Sequence, residues 1–176
     1  GPRRAIATAE EERRLTEKQV DGVLRFDQRP CRPATLDDLD LDAFRKQYLP
    51  QVVAAEVLAA NQRSPEDQLA SLRLVDPRTS VPTFAGIITL GKDPLRWLPG
   101  AYVQFVRFEG TDRASPIRTH ERALGNLLEQ LPKMDLILHV WIQVAVVPTG
   151  SLKNVQSPDY PFAALRELVV NAITHR

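Results

Sequence analysis

The sequence predicts an α+β fold: a small, largely antiparallel sheet of three to four strands packed against a long amphipathic helix and a C-terminal helix. Three observations lead there. The run Pro82–Gly91 (PTFAGIITLG) is apolar and bounded by Pro and Gly, as a buried strand would be. Ala101–Phe108 (AYVQFVRF) alternates between two faces, which suits a strand with one polar side. Leu124, Leu127, Leu131, Met134, Leu138 and Trp141 recur at three- and four-residue steps, the spacing of one helix face. The intervening loops are too short and irregular for repeated βαβ units.

With 176 residues the chain can bury one sizeable core, with room for an arm. Its 43% hydrophobic and 26% charged residues are ordinary for a soluble globular protein. Lys+Arg of 23 against Asp+Glu of 22 leaves a net charge of +1, less than expected of a protein that grips nucleic acid with its whole surface. A local basic patch stays compatible with that balance. The single cysteine, Cys31, has no internal disulfide partner, which suits a reducing cytoplasm, and it reads as a small hydrophobe. His120 and His139 pair with nothing evident in sequence. No apolar run reaches the roughly 20 residues of a membrane span, and no signal-peptide h-region is visible, so no membrane partner is expected. Gly1-Pro2 reads as a protease-cleavage scar, so a cut-out piece of a longer protein is expected.

Residues 1–19 form a charged arm, helical or mobile, with Arg3, Arg4, Arg13 and Arg14 as the DNA-contact candidates beside a plain solvated surface. Val20–Phe26 has strand character, and Asp27–Pro33 is a proline-stiffened connector. Thr35 reads as a helix cap with Asp38 in the first turn, and Leu39, Leu41, Phe44 and Tyr48 line a helix ending near Pro50. The acids Asp37, Asp38, Asp40 and Asp42 lack the turn glycine of an oxygen-ligand loop, so they are read as helix-dipole partners. Gln51–Gln62 is a short Ala-rich helix, and Ser64-Pro65 starts another. After the two strands near 84–91 and 101–108, Arg118–Trp141 is expected as one long helix that Pro132 kinks or restarts. Gln143–Val147 is a further strand and Ser151–Asp159 a loop. The last stretch, Tyr160–Arg176, is helical with Pro161 at its first position. Phe162, Leu165, Val169, Ala172 and Ile173 form its buried stripe; Glu167, Asn171 and Thr174 share the opposite face.

Neither a P-loop, a G-x-G-x-x-G, a Cys/His metal spacing nor a G-x-S-x-G elbow occurs. On spacing alone, Glu167 and Asn171 are a solvated helix face.

The wording of four stretches resembles one family. YPFAALRELVVNAITHR is similar to the YP-x-x-ALRE-x-x-VNA-x-x-HR segment of bacterial predicted transcriptional regulators, the RecG-related, ATP-binding proteins with a Schlafen-type AlbA DNA-binding domain. AGIITLGKDPLRWLPGAYVQFVRFEGTD resembles the same family's AG-x-LLFGK-x-P turn and its strand ending in F-x-GTD, although Thr89 and Leu90 stand where the family often has Leu-Phe. FDQRPC and TLDDLDLDAF are similar as well, so the likeness spans roughly residues 20–176.

The resemblance implies that residues 20–159 are a connector domain and 160–176 the first helix of a GHKL-type (gyrase/histidine-kinase) ATPase domain, cut inside its signature. It implies DNA binding through other domains of the full-length protein, and a nucleotide role for Glu167, polarising the attacking water, and Asn171, helping to hold the Mg²⁺ of Mg-ATP. A carboxylate suits the first task and an amide oxygen the second. His175 and Arg176 match the motif without a role. For this stretch alone no cofactor, metal or enzymatic activity is expected. The alternative is a non-enzymatic dimerisation or protein-interaction module, a homo-oligomer in either case.

Overall fold

The structure is a computed structural model and describes residues 8–12, 24–148 and 154–174. Helix and strand are mixed within them, as an α+β chain requires. Residues 1–91 and 92–176 pack as two separate units. Arg3, Arg4, Arg13 and Arg14 lie outside the described residues, as does most of the strand expected at 20–26. The described end of that stretch is not a strand: Phe26 opens a 3₁₀ turn, Phe26–Gln28, and stacks on Phe84 with ring centroids 4.5 Å apart.

Side-chain caps organise the first unit. The Thr35 N–H donates to Asp38 Oδ2 at 2.8 Å, closing a capping box on the 3₁₀ turn Leu36–Asp38. Asp40 Oδ1 accepts the Ala43 N–H at 2.9 Å and starts the next helix. That helix, α1, covers 41–52 as an α turn Leu41–Ala43, a π segment Phe44–Tyr48 and an α turn Leu49–Val52. The Leu49 N–H reaches back five residues to the Phe44 carbonyl. Pro50 explains the wider turn, because it offers no N–H and its ring crowds the carbonyl four residues earlier. α2, Ala55–Ala60, is short, and α3, Pro65–Ser71, is capped by Ser64 Oγ accepting the Asp67 N–H at 3.1 Å.

Residues 84–90 are helix, α4 (Phe84–Leu90), where a buried strand was expected. An apolar run buried on all sides has no periodicity to separate the two. Local chemistry decides it: Thr83 Oγ1 accepts the Gly86 N–H at 3.1 Å while donating to the Arg73 carbonyl at 2.8 Å. Ile87 and Leu90 are fully buried with Leu39, Phe44, Leu69 and Val75.

In the second unit β1, Val103–Phe108, pairs antiparallel with β2, Ile117–Ala123, in the register Val103↔Ala123, with a bulge between Arg107 and Phe108. The helix expected from Arg118 therefore starts only at Leu127, as α5, Leu127–Trp141. Gly125 at φ +100° and Asn126, whose Oδ1 accepts the Glu129 N–H at 3.3 Å, mark the true start. α5 is continuous through Pro132, so it does not restart there. β3, Val144–Pro148, pairs with β4, Asn154–Pro158, which replaces most of the loop expected at 151–159. The four strands thus form two separate two-stranded ribbons, not one sheet of three to four. α6, Phe162–Thr174, begins one residue after Pro161, whose carbonyl accepts the Leu165 N–H at 3.2 Å.

The β1–β2 ribbon does pack on both helices. Val103, Ala123 and Met134 are its buried centre, flanked by Phe105, Ile137, Val169 and Ile173. Two polar ties hold α5 to the ribbon. The Gln130 amide, 2% exposed, donates to the Ala101 carbonyl at 2.8 Å and to the Gly125 carbonyl. Arg107 Nη1 donates to the Trp141 carbonyl at 2.6 Å, a cation at the negative end of the helix.

Candidate functional site

α6 presents two unlike faces. Phe162, Leu165, Val169 and Ile173 are half-buried, and Val169 and Ile173 reach the ribbon core. Ala172, expected in that stripe, is exposed. Glu167 and Asn171 are one turn apart on the exposed side, as i,i+4 spacing dictates. His175 and Arg176 lie outside the described residues.

The seam between α5 and α6 is polar. Asp135 Oδ1 accepts from Arg166 Nε at 2.8 Å and lies 2.7 Å from Arg166 Nη2. The His139 ring stacks on Phe162 with centroids 4.6 Å apart, and its Nδ1 is 2.8 Å from the Asp135 carbonyl oxygen. So His139, unassigned in sequence, helps seat α6, whereas His120 is exposed on β2 opposite Val106. Beside this seam runs a groove of about 460 Å³, floored by Met134 and Leu138 and edged by Leu131, Val169 and Val170. Glu167 and Asn171 do not line it.

The donor types on the exposed face suit a hard cation and a water, but a nucleotide site buries most of its ligand. These two side chains on an open helix face do not enclose one. Among the described residues no group of three or more His, Cys, Asp and Glu could hold a metal ion. The acids 37–42 are instead spent locally, Asp38 and Asp40 in caps and Asp42 in an exposed pair with Lys46 at 3.8 Å. Cys31 is buried, and burial pushes its thiol above its ordinary pKa, which keeps it in the unreactive protonated form. Among the described residues no helix is long and apolar enough to cross a membrane.

No protein-family model, curated protein or solved structure matches this chain. The likeness of the YPFAALRELVVNAITHR and AGIITLGKDP stretches to the regulator family therefore rests on those motifs. The second stretch forms α4 and the turn after it, not the strand the pattern was read as.

Proposed function

We propose that this chain is the central region of a DNA-binding, ATP-binding transcriptional regulator of the cytoplasm, joining an AlbA-type DNA-binding domain to a GHKL-type ATPase module. In this reading α6 is the first helix of that module, and the rest of the second unit is its seat. The observation that supports it is the division of α6 into a stripe packed on Val103, Ala123 and Met134 and an exposed face with Glu167 and Asn171. On this reading Asn171 would help hold the Mg²⁺ of Mg-ATP and Glu167 would orient the attacking water, in a pocket that needs other segments to enclose the nucleotide. The chain by itself is not an enzyme.

The test separates the two roles. In a protein extended past Arg176, Asn171→Ala weakens Mg-dependent ATP binding, whereas Glu167→Ala leaves binding intact and slows turnover by about 10²–10⁴-fold, the usual worth of a general base. If both substitutions only lower thermal stability, the nucleotide reading fails.

A second reading, a non-enzymatic dimerisation module, draws support from exposed apolar side chains. Leu136 and Val140 on α5 and Leu168 on α6 are each more than 60% exposed.

A further inference from the structure

Arg118, His120 and Arg122 are exposed on β2. Strand alternation puts His120 and Arg122 on the outer face of the β1–β2 ribbon, with Gln104 opposite Arg122 and Val106 opposite His120. Thr119 and Ala123 turn the other way and are buried. Arg118 is the extra residue at the bulge between the Arg107 and Phe108 pairs, a device that re-aims a side chain at the end of a ribbon. The Arg122 guanidinium lies 5.4 Å from the centroid of the Tyr102 ring, which orients it while leaving its N–H edges available. Arg113 is exposed in the turn between the strands. Among the described residues no carboxylate pairs with Arg113, Arg118 or Arg122. Of the nearby acids, Glu121 alternates to the other side of the ribbon, and Asp112 stands in the turn, where its Oδ1 accepts the N–H groups of Ala114 and Ser115 at 2.8 and 3.0 Å. Glu109 lies at the turn end of β1.

We propose that the outer face of the β1–β2 ribbon, through Arg118, Arg122 and Gln104, is a docking surface for double-stranded DNA. Charge complementarity selects a polyanion. The geometry selects B-form DNA, because a two-stranded ribbon fits a major groove about 12 Å wide, whereas the A-form major groove of duplex RNA is too narrow for side chains to read. Arg118 and Arg122 are four residues apart along β2, roughly 13 Å at about 3.3 Å per residue, so the two cations stand at separate points along the groove wall. Gln104, opposite Arg122 on β1, has the amide that pairs with an adenine edge. The contact belongs to this chain itself and does not depend on the nucleotide reading.

The experiment is fluorescence anisotropy of the full chain with a 20-base-pair labelled duplex from about 50 to about 200 mM salt. Arg118→Ala with Arg122→Ala is expected to weaken binding at least about tenfold at low salt and to flatten the log–log salt slope by close to two, at about 0.9 per phosphate lost. Arg118→Lys with Arg122→Lys keeps the slope. If circular dichroism finds the Ala pair unfolded, the Gln pair replaces it with the same expectation. The proposal is overturned if the chain does not bind the duplex at low salt, if the Ala pair binds as the unaltered chain does, if Lys133→Ala on α5 produces the same loss, or if duplex RNA binds equally well.

Discussion

Gly86 sits where α4 passes the backbone of Leu74, and a Cβ there would collide with the Leu74 carbonyl oxygen. Alanine favours a helix interior by about 1 kcal/mol over glycine, but here the obstacle is backbone and cannot swing aside. Gly86→Ala is expected to destabilise the chain by about 1–3 kcal/mol in urea unfolding; a gain in stability would mean α4 is not so closely seated. Asp76 is a second such point. Burial raises its carboxyl pKa, yet the N–H groups of Arg78 and Thr79, the Thr79 hydroxyl and the Arg78 charge outweigh that and hold it below its ordinary value. A depressed carboxylate contributes stability that is complete above its unfolded value of about 3.9 and is lost as pH falls through the folded one. Acid titration followed by circular dichroism therefore finds the Asp76→Ala chain less sensitive than the unaltered one below about pH 4. Equal sensitivity would remove Asp76 as a contributor.

Among the elements, those with polar punctuation were legible. Ser64-Pro65 and Thr35…Asp38 announce their helical starts in sequence, and both caps form. β1 was legible through its alternation. α4 was not, because Thr83 is the one polar cap in a run whose other residues pack equally well in helix or strand. β2 was hidden differently: the Leu and Met stripe of α5 extends back to Leu124, and Asn126-x-x-Glu129 was the overlooked signal that the helix starts later. A helix from Arg118 would also place Arg118 and Arg122 apart from Gln104 and Tyr102, which only the strand pairing brings beside Arg122. Glu167 and Asn171, by contrast, were legible because helical spacing fixes their common face whatever packs behind it. The exposed stripe of Leu136 and Val140 belongs to this scale too. Self-association through α5 or α6 is expected, and light scattering at high concentration should find a species larger than a monomer that Leu136→Glu with Val140→Glu returns to monomer. A strict monomer before substitution would contradict this.

At the scale of the whole molecule, the division at 91/92 cuts through the AGIITLGKDPLRWLPGAYVQFVRFEGTD stretch. Its AGIITLG run builds the core of the first unit, while its β1 strand packs with α6 in the second. Among the described residues the buried side chains are uncharged, and the two proposals both concern surfaces: the outer face of the ribbon and the outer face of α6. Of these, the α6 face bears the central claim. The measurement that tests it most directly is a calorimetric titration of Mg-ATP into a protein extended past Arg176, beside the same titration into residues 1–176. The account predicts Mg-dependent binding by the extended protein, weakened by Asn171→Ala, and no heat above dilution for the 176-residue chain. An extended protein that gives no binding heat with Mg-ATP would contradict it.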